Sequence, residues 1–315
     1  MNARTYHVIF NANAGTALAS GLTEAALAEL FASNGLSAII DADADRPMSE
    51  RIEQALAGNA DTIVAAGGDG TITALGGAML GSDKSLAILP LGTVNALAKD
   101  LHIPLDTASA VAALAQSVEQ QIDVGEVNGR FFLHKVVIGL IPGMAAGREH
   151  IRTMPGVSPK LGFMRYFFRR LQRNRRIAVA IDAGDTGEVR VERVQAVAVA
   201  SNAYDEGFGR FFSRQRLDGG TLTLYVLKRF GFLDFVRLTG GMLMGRWHQD
   251  EALQVESVDA VTIDSHKGLL KVMFDGEIET LTTPLHFTIR PKALTVLAPP
   301  AIPDAQSSAD QALPA

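Results

Sequence analysis

The pattern of hydrophobic and polar residues changes character near residue 122. Before that point, short apolar runs typical of buried strands alternate with segments whose apolar residues recur at helical spacing. The predicted strands span residues 8–10, 37–40, 61–66 and 86–89, and the predicted helices span 22–33, 48–56, 71–80 and 107–117. This alternation predicts a mostly parallel sheet covered by helices, with its ligand at the carboxyl ends of the strands.

After residue 122, short β-rich runs dominate the chain and predict a second, largely antiparallel domain. These runs span residues 130–138, 177–182, 194–200, 221–227, 260–264, 269–274 and 285–297. Two predicted helices interrupt them, a basic and aromatic one at 160–176 and a weaker candidate at 231–246.

The pattern therefore predicts an α/β fold of two domains. We expect an α/β domain with a mostly parallel sheet at residues 1–125 and a β-rich domain at 126–289. A strand near 290–298 can return to the first domain. The Pro/Ala/Ser-rich residues 299–315 are predicted to be disordered.

Composition removes several classes of function. The 315 residues are 47% hydrophobic and 20% charged, which excludes disorder for the bulk of the chain. A formal net charge of −5 argues against an extended nucleic-acid surface. The sequence contains no cysteine, which excludes disulfides, thiolate nucleophiles and cysteine-ligated metals and fits a reducing compartment.

We expect neither an export signal nor a membrane span. The first apolar run ends at Asn11, too soon for a secretory signal. The longest uncharged apolar stretch, at 136–147, is shorter than the roughly 20 residues of a spanning helix. The expectation is a cytoplasmic protein that meets membranes only peripherally.

A glycine-rich turn follows the predicted strand 61–66. Residues 67–71 read Gly-Gly-Asp-Gly-Thr and lead directly into a predicted helix. Glycines let backbone N–H groups approach phosphate oxygens, and a helix N-terminus adds free donors and a favourable dipole. The turn predicts a phosphate site, although a tight strand-to-helix turn capped by Asp69 would have the same sequence.

A second turn makes the phosphate interpretation more specific. Pro90-Leu91-Gly92-Thr93-Val94-Asn95 follows the next predicted strand and again opens a helix, at Ala96. Two neighbouring parallel strands that each end in a Gly-Thr turn would line one crevice with backbone donors and hydroxyls. An early loop at residues 11–15 can close the same crevice from its other side.

Two carboxylates flank a glycine after the predicted strand 269–274. Asp275 and Glu277 are two residues apart, and in an extended chain such residues share a face, so both could point at one substrate. Phosphoryl transfer needs a group to receive the proton of the attacking hydroxyl and a cation, usually Mg²⁺, to neutralise the triphosphate. One carboxylate can act as the base while the other holds it or a cation. The alternative is a solvated hairpin turn.

Together the three motifs resemble the diacylglycerol kinase catalytic-domain family of lipid kinases, which includes sphingosine and ceramide kinases and their bacterial relatives. Residues 67–71 alone are shared with NAD kinases and resemble the phosphofructokinase turn, whereas the three motifs in this order are specific. Weaker similarity covers about residues 5–298. The resemblance implies an α/β nucleotide domain, a β-sandwich domain and an active site between them. It also implies ATP- and Mg²⁺-dependent phosphorylation of a lipid hydroxyl.

The resemblance further implies roles for individual residues. Glu277 is expected to be the base with Asp275 assisting, and Asp69 is expected to bind Mg²⁺ or orient the acceptor hydroxyl. The expected nucleotide-binding residues are Asn11, Gly15, Gly67, Gly68, Asp69, Gly70, Thr71, Gly92, Thr93 and Asn95.

Several positions depart from the family pattern. Ala12 stands where the first loop usually has proline, and His134 stands where relatives commonly have asparagine. Residues 217–222 read Leu-Asp-Gly-Gly-Thr-Leu where relatives often carry an Asp-Asp-Gly-x-Leu-like segment that supports a structural Mg²⁺. If Gly219 is the glycine of that segment, Asp218 is the candidate metal ligand; if Gly220 is, Gly219 replaces the metal-binding aspartate. We expect the changes at His134 and at 204–209 to affect lipid choice more than phosphoryl transfer.

The basic segment 160–176 contains aromatic residues and no acidic residue. As an amphipathic helix it could lie on an anionic bilayer, with Arg165, Arg169, Arg170 and Arg173 contacting headgroups. Its aromatic side chains could equally pack into the second domain while the arginines are solvated.

We therefore expect a lipid kinase that transfers the γ-phosphoryl group of ATP to a diacylglycerol- or ceramide-type lipid. Its expected partners are that lipid and an anionic membrane surface, with no nucleic acid; a homodimer is a further expectation. The alternatives are an NAD kinase-like phosphotransferase with a soluble acceptor, and a non-catalytic lipid- or nucleotide-binding protein of the same fold.

Overall fold

The computed structural model describes residues 4–139, 176–183, 189–205, 213–214, 216–228 and 252–300, together with four residues between 234 and 241. The basic residues Arg165, Arg169, Arg170 and Arg173 lie outside the described residues, as do residues 301–315 of the predicted tail. In the second candidate helix, 231–246, the four described residues are helical.

The first region alternates strands and helices, as the hydrophobic pattern predicts. Its strands are β1 (Thr5–Phe10), β2 (Ser37–Asp41), β3 (Thr62–Gly67) and β4 (Ser85–Pro90). Its helices are α1 (Gly15–Ser20), α2 (Glu24–Ser33), α3 (Met48–Ala57), α4 (Asp69–Ala78), α5 (Ala96–Asp100) and α6 (Thr107–Leu114).

The four strands form a parallel sheet in the order β2-β1-β3-β4. Every residue of β3 and β4 is buried, as expected for parallel strands covered on both faces. Leu27 and Phe31 of α2, Ile52 of α3 and Leu75 of α4 belong to the core that covers the sheet. The carboxyl ends of β1, β3 and β4 therefore lie side by side at one edge.

The second region is built from antiparallel strands. They are β5 (Val118–Val127), β6 (Arg130–Phe132), β7 (Lys135–Gly139), β8 (Ile177–Asp182), β9 (Val189–Val194), β10 (Ala196–Ser201), β11 (Leu222–Leu227), β12 (Leu253–Val258), β13 (Ala260–Asp264), β14 (Leu269–Phe274), β15 (Glu277–Thr282) and β16 (Leu285–Ala298). Six of them form a sheet in the order β12-β11-β10-β7-β14-β15.

The long strand β16 connects the two regions. It pairs antiparallel with β13 and β5, and its Val296 pairs parallel with Leu86 of β4. The first sheet consequently continues as β4-β16-β13-β8-β9. Val127, Val261 and Phe287 on this sheet share one core with Val197 and Leu224 on the six-stranded sheet, which gives the predicted sandwich.

The structure differs from the pattern-based prediction at several elements. Strands β5, β9, β12 and β15 and helix α1 are not predicted, although β9 and β12 alternate apolar with polar residues over most of their length. The single strand predicted at 130–138 is divided into β6 and β7. Leu133 and His134 separate the two strands, and their backbone N–H groups bind a carboxylate of the second domain.

Candidate active site

Three turns meet at the carboxyl ends of β1, β3 and β4. The N–H of Asn11 donates to the carbonyl of Ala66 at 2.8 Å, which joins the first loop to β3. The N–H of Leu91 donates to the carbonyl of Gly67, and the N–H of Thr16 donates to the carbonyl of Leu91, both at 2.9 Å. The three turns that the sequence singles out therefore form one continuous cradle.

Close backbone contact between the two glycine-rich turns requires a glycine at position 92. A Cβ atom placed on Gly92 would lie 2.7 Å from the Cα of Gly68 and 2.7 Å from Oδ1 of Asn95. Backbone and a fully engaged side chain cannot move away easily, so any side chain at this position would push the turns apart.

Asp69 and Asn95 use their side chains to shape this cradle. The Asp69 carboxylate accepts hydrogen bonds from the N–H groups of Asn95, at 3.0 Å, and Ala96, at 2.7 Å. These groups begin α5, where a carboxylate favourably neutralises free donors. The Asn95 side chain, in a residue with φ of 52°, binds both the N–H and the carbonyl of Gly92 at 2.9 Å. The side chains thus contact the protein's own backbone.

The first loop contacts both glycine-rich turns. Nδ2 of Asn11 donates to Oγ1 of Thr71 at 3.2 Å, and a Cβ atom on Gly15 would lie 3.2 Å from Oγ1 of Thr93. The N-terminal turn of α4 opens onto a cleft of about 380 Å³. Its lining includes Asn11, Met48, Gly68, Gly70, Thr71 and Glu277.

The Asp275-Gly276-Glu277 segment forms the turn of the β14–β15 hairpin. Phe274 pairs with Glu277, and Asp275 and Gly276 have φ values of 44° and 101°. Such left-handed backbone conformations are typical of two-residue hairpin turns. The expectation that both carboxylates share one face of an extended chain is wrong, because this turn directs them differently.

Asp275 binds donors from both domains. Its Oδ1 accepts from the N–H groups of His134, at 3.0 Å, and Lys135, at 2.9 Å. Its Oδ2 accepts from the N–H of Leu133 at 2.7 Å and from Oγ1 of Thr73 on α4 at 3.1 Å. Burial raises the pKa of Asp275, and these hydrogen bonds oppose that rise. The carboxylate therefore joins β6, β7 and α4 at one point.

Glu277 is exposed and reaches the first turn of α4. A Cβ atom on Gly70 would lie 2.5 Å from Oε1 of Glu277, so the absence of a side chain at Gly70 creates the space for this carboxylate. Glu277 also lines a second cleft of about 300 Å³, which shares Gly70 and Ala74 with the first. One carboxylate consequently lies where the two clefts adjoin.

The second cleft combines aromatic and charged side chains. Phe131 and Phe274 line it, together with an ion pair between Arg130 and Glu279. The Arg130 guanidinium also lies 4.7 Å from the centre of the Phe274 ring. The cleft thus offers aromatic surface beside fixed hydrogen-bonding groups.

The loop around Asp218 does not fit a structural Mg²⁺ site. The Asp218 side chain is exposed and pairs with Arg216 at 3.6 Å. The neighbouring carboxylate of Asp123 accepts from the N–H groups of Gly220, at 2.6 Å, and Lys292, at 2.8 Å. Each oxygen of the Asp123 carboxylate thus already accepts a backbone N–H group. Within the described part of the chain, no three His, Cys, Asp or Glu side chains are grouped to hold a metal.

A buried polar cluster behind the hairpin turn is missing from the sequence-based prediction. Tyr204 and Nδ1 of His134 are hydrogen bonded at 2.8 Å, and the Lys135 ammonium lies 4.9 Å from the centre of the Tyr204 ring. Burial lowers the pKa of His134 to about 2 and that of Lys135 to about 8, and the nearby Arg214 guanidinium adds to both effects. His134 is the one member of this cluster that the sequence singles out, because relatives commonly carry asparagine at this position.

None of the helices that the structure describes is long and apolar enough to span a membrane.

Two known domains match consecutive parts of the chain. The diacylglycerol kinase catalytic domain matches residues 5–127, and the YegS C-terminal NAD kinase beta sandwich-like domain matches residues 143–298. The first match contains strands β1 to β5, and the second contains strands β8 to β16.

Individual proteins are similar over most of the chain. A Pseudomonas aeruginosa protein named "Probable lipid kinase YegS-like" is 33% identical over 80% of this chain and 81% of its own. A Bacillus subtilis diacylglycerol kinase is 26% identical over 69% of this chain and 71% of its own. The crystal structure of a diacylglycerol kinase from Bacillus anthracis has the same fold, with a TM-score of 0.67 and 20% identity over 96% of this chain and 100% of its own. The chain therefore belongs to the diacylglycerol kinase catalytic-domain family of lipid kinases.

Proposed function

We propose that this kinase transfers the γ-phosphoryl group of ATP to a hydroxyl of a diacylglycerol- or ceramide-type lipid. The observation that carries the proposal is the contact between Oε1 of Glu277, from the second domain, and Gly70, in the first turn of α4. It brings a free carboxylate to the N-terminus of a helix, where phosphates bind.

The first cleft is the proposed nucleotide site. The N-terminal turn of α4 supplies backbone donors without intrahelical partners and the positive end of the helix dipole. Gly68, Gly70 and Thr71 let phosphate oxygens approach this turn closely. Mg²⁺ bound with ATP would neutralise the triphosphate, and Glu277 is the exposed carboxylate on this cleft.

Glu277 is the proposed base for the acceptor hydroxyl. Phosphoryl transfer relies mainly on positioning and charge, with one group to receive the hydroxyl proton. Since Glu277 also lines the second cleft, an acceptor hydroxyl entering there would meet the carboxylate beside the nucleotide. Asp275 assists by holding the turn, because its own oxygens accept four hydrogen bonds.

The acceptor is best identified by labelling. Purified protein is incubated with γ-labelled ATP and a total lipid extract, and the labelled lipid is identified by mass spectrometry. We expect label in a diacylglycerol- or ceramide-type product. A parallel reaction with NAD tests the soluble-acceptor alternative, and label in NADP with none in lipid would overturn the proposal. No transfer to either acceptor, with ATP still bound, would indicate a non-catalytic protein.

We also propose that the basic segment 160–176 brings the enzyme to its lipid substrate at an anionic membrane. Each basic side chain near an anionic surface contributes about 1 kcal/mol. Replacing Arg169, Arg170 and Arg173 together by Ala should therefore weaken binding to anionic vesicles by about 100-fold at low salt. Sedimentation with anionic and neutral vesicles measures this change. Equal binding by both proteins would favour internal packing of the segment.

A further inference from the structure

A buried ion pair lies at the junction of the two domains, away from both clefts. Arg214 and Asp100 have side chains that are each 1% exposed. Nε of Arg214 donates to Oδ2 of Asp100 at 2.9 Å, and the backbone N–H of Arg214 donates to Oδ1 at 3.0 Å. A second guanidinium nitrogen lies 2.7 Å from Oδ2. Both carboxylate oxygens of Asp100 are thus bound by one residue.

The same guanidinium also binds two backbone carbonyls of the second domain. Nη1 of Arg214 donates to the carbonyl of Leu133 at 2.9 Å and to that of Ser201 at 2.7 Å. Leu133 lies between β6 and β7, and Ser201 ends β10. Arg214 consequently connects the end of α5, in the first domain, with the β6–β7 connection and the end of β10 in the second.

These contacts continue directly to the hairpin turn that carries Glu277. The carbonyl of Leu133 binds Arg214, and the N–H of the same residue donates to Asp275. Asp275 in turn accepts from Thr73 of α4. The turn is therefore connected to the first domain through two routes, one through Thr73 and one through Arg214.

The second route closes on the nucleotide cradle. Asp100 ends α5, and the N-terminus of that helix is bound by Asp69, the first residue of α4. Both routes consequently lead back to α4, whose first turn contacts Glu277. A ring of hydrogen bonds and helix backbone thus joins the hairpin turn that ends at Glu277 to the N-terminus of α4.

A contribution to folding stability does not by itself explain the buried ion pair between Arg214 and Asp100. The desolvation of two buried charges often cancels their attraction, and well-packed apolar residues in their place are often neutral or stabilising. A guanidinium does, however, fix several acceptors in defined directions, since its donors form a rigid fork. Here it binds acceptors at the end of α5, between β6 and β7, and at the end of β10.

We propose that Arg214 is a positioning residue for phosphoryl transfer. Its guanidinium holds the hairpin turn of Glu277 at the first turn of α4, and the loop that follows Arg214 does not fit a metal ion. The inference rests on the proposed function. Arg214 and Asp100 align the two domains, whereas Glu277 contacts the substrate.

The first test compares Arg214→Lys and Arg214→Met with Arg216→Ala. Arg216 is a matched control two residues away, with a side chain that is 78% exposed. Displacement of a reacting group by about 1 Å costs about 100-fold in rate. We expect kcat per folded enzyme to fall by about 10- to 100-fold in Arg214→Met and less in Arg214→Lys, with the KM for ATP within about twofold of wild type. Arg216→Ala should match wild type.

A double variant separates positioning from stability. Asp100→Leu combined with Arg214→Met removes both charges, so we expect the melting temperature to recover toward wild type while kcat stays low. Recovery of kcat together with the melting temperature would overturn the proposal. So would an unchanged kcat in folded Arg214→Met or Arg214→Lys.

Hydrogen exchange tests the inference without any substrate. In Arg214→Met and Arg214→Lys, the amides of Leu133, His134 and Lys135, which donate to Asp275, should exchange faster than in Arg216→Ala. Unchanged exchange would overturn the proposed connection. If wild type transfers no phosphate to any lipid but exchange changes as expected, the proposed function fails while the connection stands.

Discussion

The two sides of the candidate site are built in different ways. The nucleotide side consists of turns that follow adjacent parallel strands, and its lining includes Gly68 and Gly70. The acceptor side consists of a hairpin turn that is held by side chains far apart in the sequence, such as Thr73 and Asp275. The backbone side can be recognised from short motifs, whereas the side-chain side becomes visible only in the folded chain.

Because of this difference, substitutions on the two sides should impair different steps. On the nucleotide side, the glycine-rich turns touch each other, so a single added methyl group displaces backbone and affects the binding of ATP. On the acceptor side, each hydrogen bond to Asp275 is one of four, so losing one should slow transfer and leave the nucleotide bound.

Gly92→Ala tests the nucleotide side and should have the larger effect. The new Cβ would lie 2.7 Å from Gly68 Cα and from Asn95 Oδ1, so the turns must separate. Because a shift of about 1 Å at a reacting site costs about 100-fold, kcat/KM should fall by about that factor. ATP affinity, measured by calorimetry, should weaken in parallel. Gly268→Ala is the control, since no atom lies within 4 Å of its Cβ position. Wild-type ATP affinity in Gly92→Ala would contradict the cradle.

Thr73→Val tests the acceptor side and should have a smaller effect. Valine keeps the shape of threonine but cannot donate to Asp275, and one hydrogen bond to a charged group contributes about 1.5–3 kcal/mol. We expect kcat to fall by about tenfold with the KM for ATP unchanged, and Thr73→Ser to restore most of kcat. Steady-state kinetics checks both values. A change in KM for ATP with kcat preserved would place Thr73 on the nucleotide side instead.

The sequence predicts the parallel part of the fold well because periodicity reports burial directly. Strands β3 and β4 read as continuous apolar runs since both faces are covered, and helix α3 begins at the predicted residue. The glycine-rich turns are also predictable, because each follows a predicted strand and opens a helix.

The acceptor side is less predictable, for a physical reason in each case. The extended chain assumed for Asp275 and Glu277 is wrong, because β14 and β15 pair and force a left-handed turn between them. Arg214 and Asp100 are 114 positions apart in the sequence, and their pairing depends on how the domains pack. No pattern of neighbouring residues in the sequence predicts such a contact.

Asp69 illustrates a third situation. The sequence allows it to be either a helix-capping residue or a group that handles substrate. The structure shows its carboxylate bound to the N–H groups that begin α5, so it joins the two glycine-rich turns. Asp69 therefore does not cap its own helix, whose N-cap Gly68 has no side-chain cap bond, and the connection of α4 to α5 depends on it instead.

Glu277 is the free carboxylate shared by the two clefts, and the proposed phosphoryl transfer depends on it more than on any other side chain of the site. Glutamine keeps its shape but cannot accept a proton, and general-base catalysis contributes about 10²- to 10⁴-fold. The control Glu119→Gln changes an exposed carboxylate that pairs with Arg4 and contacts Ser85, where β4 begins, at the opposite end of that strand from the turn.

The most direct measurement follows γ-labelled phosphate from ATP into the lipid product, with ATP affinity measured by calorimetry on the same samples. We predict that Glu277→Gln binds ATP like wild type and transfers phosphate about 10²- to 10⁴-fold more slowly, while Glu119→Gln does both normally. Transfer by Glu277→Gln within about threefold of wild type, well inside the range that general-base catalysis contributes, would contradict the assignment of the site.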